Sequence, residues 1–246
     1  MDGSIPFAAT TPSFPARARR RDLLMAPYSL LMLAGLVLGL VFWLRLSRKD
    51  GATVGLYVAA LAGAFLGAKF AYLGCEGWLS WGAADQWRQW ATGKSILGAL
   101  LGGFLAVEGV KRIAGIRTVT GDWFASFVPL TIALGRLGCL SQGCCPGRNF
   151  GGFVWPAVPV EFSFNVLAAM IFWVLRRRQI LPGQHFHLYM MAYGIFRLVH
   201  EPLRGTPKLA ENWSLYQVLA LALAGLGLWG FLERRKGQAA PRAECL

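Results

Sequence analysis

The chain is 246 residues long, 55% hydrophobic and only 15% charged, with a mean hydropathy of +0.46, whereas an average soluble domain carries roughly 25% charged residues. These proportions exclude an ordinary soluble globule, and they equally exclude a disordered or collagen-like chain. The formal charge of +13, from 25 Lys and Arg against 12 Asp and Glu, would suggest nucleic acid in a soluble protein. Here most basic residues stand in short clusters between apolar runs, as in the loops of a polytopic membrane protein, so no nucleic-acid partner is expected.

Residues 1–26 form a polar, basic tail (Arg17, Arg19, Arg20, Arg21) ahead of an apolar run from Pro27 to Leu44. A basic stretch before an apolar run imitates a secretory signal. This run is long, however, and it is followed by Arg45, Arg48 and Lys49 rather than a small-x-small cleavage site, so it reads as a first membrane helix. Further apolar runs, each near the roughly 20 residues that cross a bilayer, lie at about 52–74, 94–112, 121–140, 159–175, 185–203 and 212–232. Residues 75–92 hold Trp78, Trp81, Trp87 and Trp90 with too much polarity to cross hydrocarbon, and are expected to lie along the interface.

The expected fold is therefore an all-α polytopic membrane protein, with about seven transmembrane helices and an interfacial segment after the second. Its expected parts are the basic N-terminal tail 1–26, a membrane domain over 27–232 and a C-terminal tail over 233–246. Alternate loops carry Arg45, Arg48 and Lys49; Lys111, Arg112 and Arg117; Arg176, Arg177 and Arg178; and Arg234, Arg235, Lys236 and Arg242. The other side holds only Arg88, Lys94, Arg148, Arg204 and Lys208, plus the tail arginines, which oppose the trend. The positive-inside rule then sets the C-terminus in the cytoplasm and the N-terminus outside.

Lys69, Arg136 and Arg197 fall inside apolar segments, where a charge is expensive unless paired or hydrated. Lys69 is near enough to a span end to snorkel. Arg197 and Glu201 are four apart, with Arg204 three further on, so a helix would carry them on one polar edge that Tyr193 extends. That edge is either an internal ion pair fixing helix packing, or an anion site whose guanidinium forks suit a phospholipid headgroup. Around Arg136 the string GRLGCLSQGCCPGR combines small residues with Cys139, Cys144 and Cys145. Their spacing lacks the CxxC pairs of a zinc or iron-sulfur site, so no metal is expected; they are small apolar fillers or thiols lining a site. His185, His187 and His200 are scattered, and the H-x-H pair reads as interfacial.

Several stretches resemble one family, the bacterial prolipoprotein diacylglyceryl transferases. PYSLLMLAGLVLG at 27–39 is similar to the family's first span, GAKFAYL at 67–73 to its GAR-x-x-Y element, and GKSILGALLGG at 93–103 to its G-x-S-[FI]-x-G-G-L-x-G segment. Asp122, Pro129, Gly135, Arg136 and Gly138 fall on its D-x6-P-x5-GR-x-G signature, and YGIFRLVHEPLRG at 193–205 resembles its YG-x-x-R-[FL]-x-x-E-x-x-R segment.

The resemblance implies a plasma-membrane enzyme that moves the diacylglyceryl group of phosphatidylglycerol to the thiol of a prolipoprotein lipobox cysteine, releasing glycerol phosphate, with no cofactor. It implies catalytic roles for Arg136, Arg197 and Glu201. It also implies substrate contacts for Tyr28, Tyr72, Ser95, Gly98, Asp122, Gly138, Cys139, Gln142, Cys144, Gly147, Tyr193 and Arg204. The arginines would stabilise charge on the phosphate leaving group, and Glu201 or a nearby cation would raise the thiolate fraction of a thiol whose ordinary pKa is about 8.5.

The chain departs from the family pattern locally. Leu97 stands where the family carries a histidine, Cys139, Gln142 and Cys144 replace Asn, Asn and an acidic residue, and the family's P-x-Q-L-Y-E reads Pro159, Val160, Glu161, Phe162, Ser163, Phe164. The alternatives left open are a different acceptor, or a non-enzymatic lipid-binding or redox-sensing membrane protein that uses its cysteines.

Overall fold

The computed structural model describes residues 30–31, 33–41, 43–45, 51–116, 119–209 and 213–239. Apolar runs become helices because backbone donors and acceptors find no water in hydrocarbon and must bond within the segment. In chain order these are α1 (Leu33–Arg45), α2 (Gly51–Cys75), α3 (Gln86–Thr92), α4 (Ile96–Ile113), α5 (Gly121–Gln142), α6 (Ala157–Arg177), α7 (His185–His200) and α8 (Leu215–Ala239). Single 3-10 turns cover Gly77–Ser80 and Glu201–Leu203, and a small antiparallel hairpin pairs β1 (Asn149–Phe150) with β2 (Phe153–Val154). Among the described residues the protein is thus all-α apart from that hairpin and the single bridge between Gly147 and Arg204. Among the described residues four helices, α2, α5, α6 and α8, are long and apolar enough to cross a membrane. Their neighbourhood is consistent with lipid: Phe65, Phe70 and Val199 are 64%, 69% and 70% exposed, a degree of apolar exposure that water would penalise.

The helices associate as α2 with α4, α5 with α6 and α7 with α8. Between lipid-exposed helices the hydrophobic effect offers little, so close backbone approach has to supply the packing. On α2 and α4 it comes from two matched G-x-x-x-G steps, Gly63 with Gly67 and Gly98 with Gly102. A Cβ on Gly67 would fall on the Gly98 carbonyl oxygen, and one on Gly63 would lie 2.5 Å from that of Gly102. Gly98, expected at the substrate site, belongs instead to this helix seam.

Alternation of direction brings the C-terminal ends of α2, α5 and α7 together with the N-terminal ends of α4, α6 and α8. The opposite end carries the basic residues Lys111, Arg112, Arg176 and Arg177 in the last turns of α4 and α6, where cations also suit the helix dipole. Asp122 sits at this basic end. Its Oδ2 accepts from the Gly183 N–H at 2.6 Å and its Oδ1 from the His185 N–H at 3.1 Å, tying the α6–α7 turn to the start of α5. Since a helix rises 1.5 Å per residue, Asp122 lies roughly 21 Å along α5 from Arg136, and its expected substrate role does not fit that position.

The Trp-rich segment folds on itself. The Trp90 indole N–H donates to the Gly77 carbonyl and the Ser80 hydroxyl at 2.8 and 2.9 Å, while Trp81 and Trp87 meet the Trp90 ring edge-on. Lys69 extends to this Trp-rich segment: its ammonium donates to the carbonyls of Trp90 at 2.9 Å, Gly93 at 3.0 Å and Ala91. It thereby caps the C-terminal end of α3, whose carbonyls lack intrahelical partners. At the chain's far end α8 runs past residue 232 to Ala239, so Arg234, Arg235 and Lys236 are helical rather than part of a tail.

Candidate active site

Where α5, α6 and α7 converge, a carboxylate collects three guanidinium groups. Glu161, in the first turns of α6, is fully buried. Its Oε1 accepts from Arg136 Nη2 at 2.8 Å and from the Tyr193 hydroxyl at 2.6 Å; its Oε2 accepts from Arg204 Nη1 at 2.7 Å and Arg197 Nη1 at 3.3 Å. A carboxylate has about four lone-pair directions, and all four are used. Arg197 reaches Glu201 with its other nitrogen, Nη2 to Oε2 at 2.7 Å, so the helical spacing of Arg197 and Glu201 does produce a pair. The second Glu201 oxygen accepts from the Thr206 hydroxyl at 2.5 Å and the Ser214 hydroxyl at 3.3 Å. Lys208 donates to the Glu201 carbonyl at 2.6 Å, and burial lowers the pKa of its ammonium.

Three guanidinium groups against two carboxylates leave this buried cluster one positive charge in excess. The Nε atoms of Arg136, Arg197 and Arg204 are buried without a hydrogen-bond partner among the described residues. Unspent donors and excess charge in a low-dielectric setting favour an anion. Glu76, just past the end of α2, also faces the cluster: burial pushes its carboxyl above the usual range, while a hydrogen bond from Tyr216 and the charge of Arg204 act in the other direction.

Of the residues expected at the site, Arg136, Arg197, Glu201, Tyr193 and Arg204 are brought together. Gly147 joins them through the backbone: it forms a bridge with Arg204, and the Arg148 N–H donates to the Leu203 carbonyl at 2.8 Å. A Cβ on Gly147 would fall on the Trp155 carbonyl oxygen, so only glycine lets the loop run there. Gly138 is buried on α5, and Gln142 is half-buried at that helix's end. Cys139 lies beside Arg136, whose Nη1 is 3.8 Å from its sulfur. Cys144 donates to the Cys139 carbonyl at 3.6 Å.

Ser95 and Tyr72 serve the scaffold. The Ser95 hydroxyl caps α4 by accepting from the Gly98 N–H at 3.4 Å, and the Tyr72 ring covers the space a side chain at Gly93 would need. Tyr28 and the tail arginines lie outside the described residues. Among the histidines, His185 Nε2 sits 2.8 Å from the Ile180 carbonyl, His187 packs on Phe104, and His200 Nε2 accepts from the Trp155 indole at 3.1 Å.

Glu161 is the residue sequence reasoning missed. It was visible only as a departure from a motif, yet a lone carboxylate in the apolar run 159–175 is itself a signal, because an unpaired acid there is as costly as an unpaired base.

An apolar cavity of about 390 Å³ opens between α1, α2, α4 and α5, lined by Gly35, Gly39, Ala60, Leu100, Gly103 and Phe127 among others, and reaching Gly135 beside Arg136. Its walls are mostly apolar, and it also reaches Glu108, Lys111, His187 and Arg234 toward the basic end.

Residues 21–232 match the family model described as prolipoprotein diacylglyceryl transferase. A phosphatidylglycerol–prolipoprotein diacylglyceryl transferase of Leifsonia xyli subsp. xyli is 27% identical, covering 86% of this chain and 74% of the relative. The protein of the same name from Gloeobacter violaceus is 29% identical over 87% of this chain and 91% of its own length. That from Legionella pneumophila strain Corby is 30% identical over 59% of this chain and 64% of its own length. A match through nearly the whole helical region, including the segments that carry Arg136 and Arg197, establishes that the chain belongs to the prolipoprotein diacylglyceryl transferase family.

Proposed function

We propose that this chain transfers the diacylglyceryl group of phosphatidylglycerol to the cysteine thiol of a prolipoprotein, the activity its relatives are named for. The observation that carries the reading is the convergence of Arg136, Arg197 and Arg204 on one buried point with a net positive charge. In this reading the guanidinium groups hold the phosphate and stabilise the charge that grows on the departing glycerol phosphate. Glu161 sets their fan, and Glu201 fixes Arg197. Tyr193, Gly138, Cys139, Gln142, Cys144 and Gly147 border the reacting groups, and the apolar cavity accepts acyl chain.

The membrane domain extends over 27–232 with α1, α2, α4, α5, α6, α7 and α8 as its seven spans, and with α3 lying along the interface. The basic helix ends and the C-terminus face the cytoplasm, the N-terminus lies outside, and the arginine cluster opens toward the outer half of the plasma membrane of a bacterium. A signal-peptide helix and a phospholipid both reach such a site sideways from the bilayer.

The test is complementation of bacteria depleted of their own diacylglyceryl transferase, reading lipobox-cysteine modification by mass spectrometry. Wild type restores the modification and Arg136→Ala does not. Failure of a well-expressed, membrane-inserted wild type refutes the reading.

A further inference from the structure

The thiols at the end of α5 are gathered by an unusual piece of backbone. Cys139 is in the last turn of the helix. Gly143, at φ 62°, closes it with a paired motif: the Cys144 N–H donates to the Cys139 carbonyl at 3.1 Å and the Gly143 N–H to the Leu140 carbonyl at 3.2 Å. Two residues on, Cys145 is itself left-handed, at φ 59°, a conformation costing a residue with a Cβ on the order of 1–2 kcal/mol. The turn folds Cys144 and Cys145 back over Cys139, and the three sulfurs lie within 4.8 Å of one another. Packing alone does not call for a strained cysteine beside two others.

The spacing fits a metal. Zinc binds thiolates at about 2.3 Å, so two sulfurs on one tetrahedral ion stand roughly 3.8 Å apart; side-chain rotation closes the remaining ångström. A cation also stands beside the thiols, since Arg136 Nη1 is 3.8 Å from the Cys139 sulfur.

A transferase of this kind has to deprotonate its acceptor thiol, and the carboxylates nearby are engaged, Glu76 by a hydrogen bond from Tyr216. All four acceptor directions of Glu161 are taken, Glu201 accepts from Arg197, Thr206 and Ser214, and His200 Nε2 accepts from Trp155. We propose that Cys139, Cys144 and Cys145 hold a zinc ion whose fourth position binds the acceptor thiol, an inference that rests on the transferase reading and deepens it. Three protein ligands with one open position is the pattern of catalytic zinc, and a thiol that coordinates the ion is deprotonated outright.

The step balances without redox chemistry. The thiol proton passes to solvent on coordination, and the sulfur attacks the glyceryl carbon attached to the phosphate oxygen. The C–S bond forms as the C–O bond breaks, and the electron pair leaves on glycerol phosphate. Arg136 spans both halves, touching Cys139 with Nη1 and Glu161 with Nη2, so the phosphate and the thiolate meet at one side chain.

The test uses the full-length, detergent-solubilised protein, reduced and anaerobic, titrated with Co²⁺ as a spectroscopic substitute for zinc. Wild type gives a thiolate-to-cobalt charge-transfer band with tetrahedral d–d absorption. Cys144→Ser weakens cobalt binding by about 100-fold or more, since even outer-shell changes cost 10–100-fold, and Cys75→Ser, outside the cluster, leaves it unchanged. Adding a single-cysteine peptide then strengthens the charge-transfer band, and its serine counterpart does not. Thermal unfolding of each variant separates loss of a ligand from loss of the fold. A missing band, or a band unaltered in Cys144→Ser, overturns the site; a band indifferent to the cysteine peptide overturns the fourth-ligand role. Diacylglyceryl transfer and phosphatidylglycerol binding are measured on the same samples. Transfer without metal binding defeats the zinc proposal alone, whereas an intact metal and thiol response with no transfer supports the site and defeats the transferase reading.

Discussion

Replacing Glu161 by glutamine changes almost no volume but removes the charge on which three arginines converge. Glutamine keeps one acceptor oxygen, yet presents an NH₂ group to a pair of guanidinium donors now held at 2.7 and 3.3 Å, or to Arg136 and Tyr193 if the amide is flipped. Breaking a buried pair by removing one partner typically costs about 3–5 kcal/mol, because the other charge stays buried and uncompensated. At roughly 2–4 °C per kcal/mol for a domain of this size, the unfolding midpoint falls on the order of 10 °C. Anion affinity moves the opposite way. A unit charge about 6 Å from the phosphate contributes close to 3 kcal/mol of repulsion at an effective dielectric near 20, so its removal tightens headgroup binding by up to about 100-fold. The assay is thermal unfolding in neutral detergent, repeated across a phosphatidylglycerol titration that yields the apparent affinity. Unchanged stability together with unchanged or weaker lipid binding would refute the role assigned to Glu161.

Substitution in the α2–α4 seam gives a contrast internal to one helix. Gly67→Val drives a side chain into the Gly98 carbonyl and lowers the unfolding midpoint or the folded yield by the equivalent of at least about 1–3 kcal/mol, whereas Gly55→Ala, with nothing within 4 Å of the new Cβ, leaves stability unchanged or slightly higher. Asp122→Ala deprives the Gly183 and His185 N–H groups of their acceptor and costs about 1–3 kcal/mol by thermal unfolding. Its phosphatidylglycerol affinity, measured on the folded protein, stays at the wild-type value because the arginine cluster lies at the other end of α5.

The parts of the site that lie on one helix were legible in the sequence. Arg197 and Glu201 follow from the i, i+4 rule, and Arg136 stands out as a charge in an apolar run. Contacts between helices were not legible in the same way. Glu161 joins α6 to α5 and α7 across 25, 36 and 43 residues of sequence, and no periodicity within a single run reveals such a partner. A short signature also does not say which end of a helix matters: Asp122 and Arg136 share one motif and one helix, yet serve opposite ends. Gly98 falls in a motif that points to substrate, while its physical task is to let α4 approach α2. The cysteines failed the usual spacing test because the turn at Gly143, rather than a CxxC loop, brings them together. The apolar runs forecast α2, α4, α5, α6 and α7 to within three residues of their observed bounds, α8 runs seven residues further than expected, the start of the first run lies outside the described residues, and among the described residues four helices meet the length and hydropathy needed to span.

The bridge between Gly147 and Arg204 makes two stretches far apart in sequence into one mechanical piece. Beside it, the Gly205 N–H donates to the Pro146 carbonyl at 3.0 Å, so the peptide units that follow the cysteines and those that carry Arg204 are latched at successive points. A tug on either is transmitted to the other without passing through any side chain. In the proposed reaction, a headgroup drawing on Arg204 would pull on the cysteine turn through these main-chain links. The two stretches are thereby registered against each other by main-chain hydrogen bonds, which side-chain variation leaves in place.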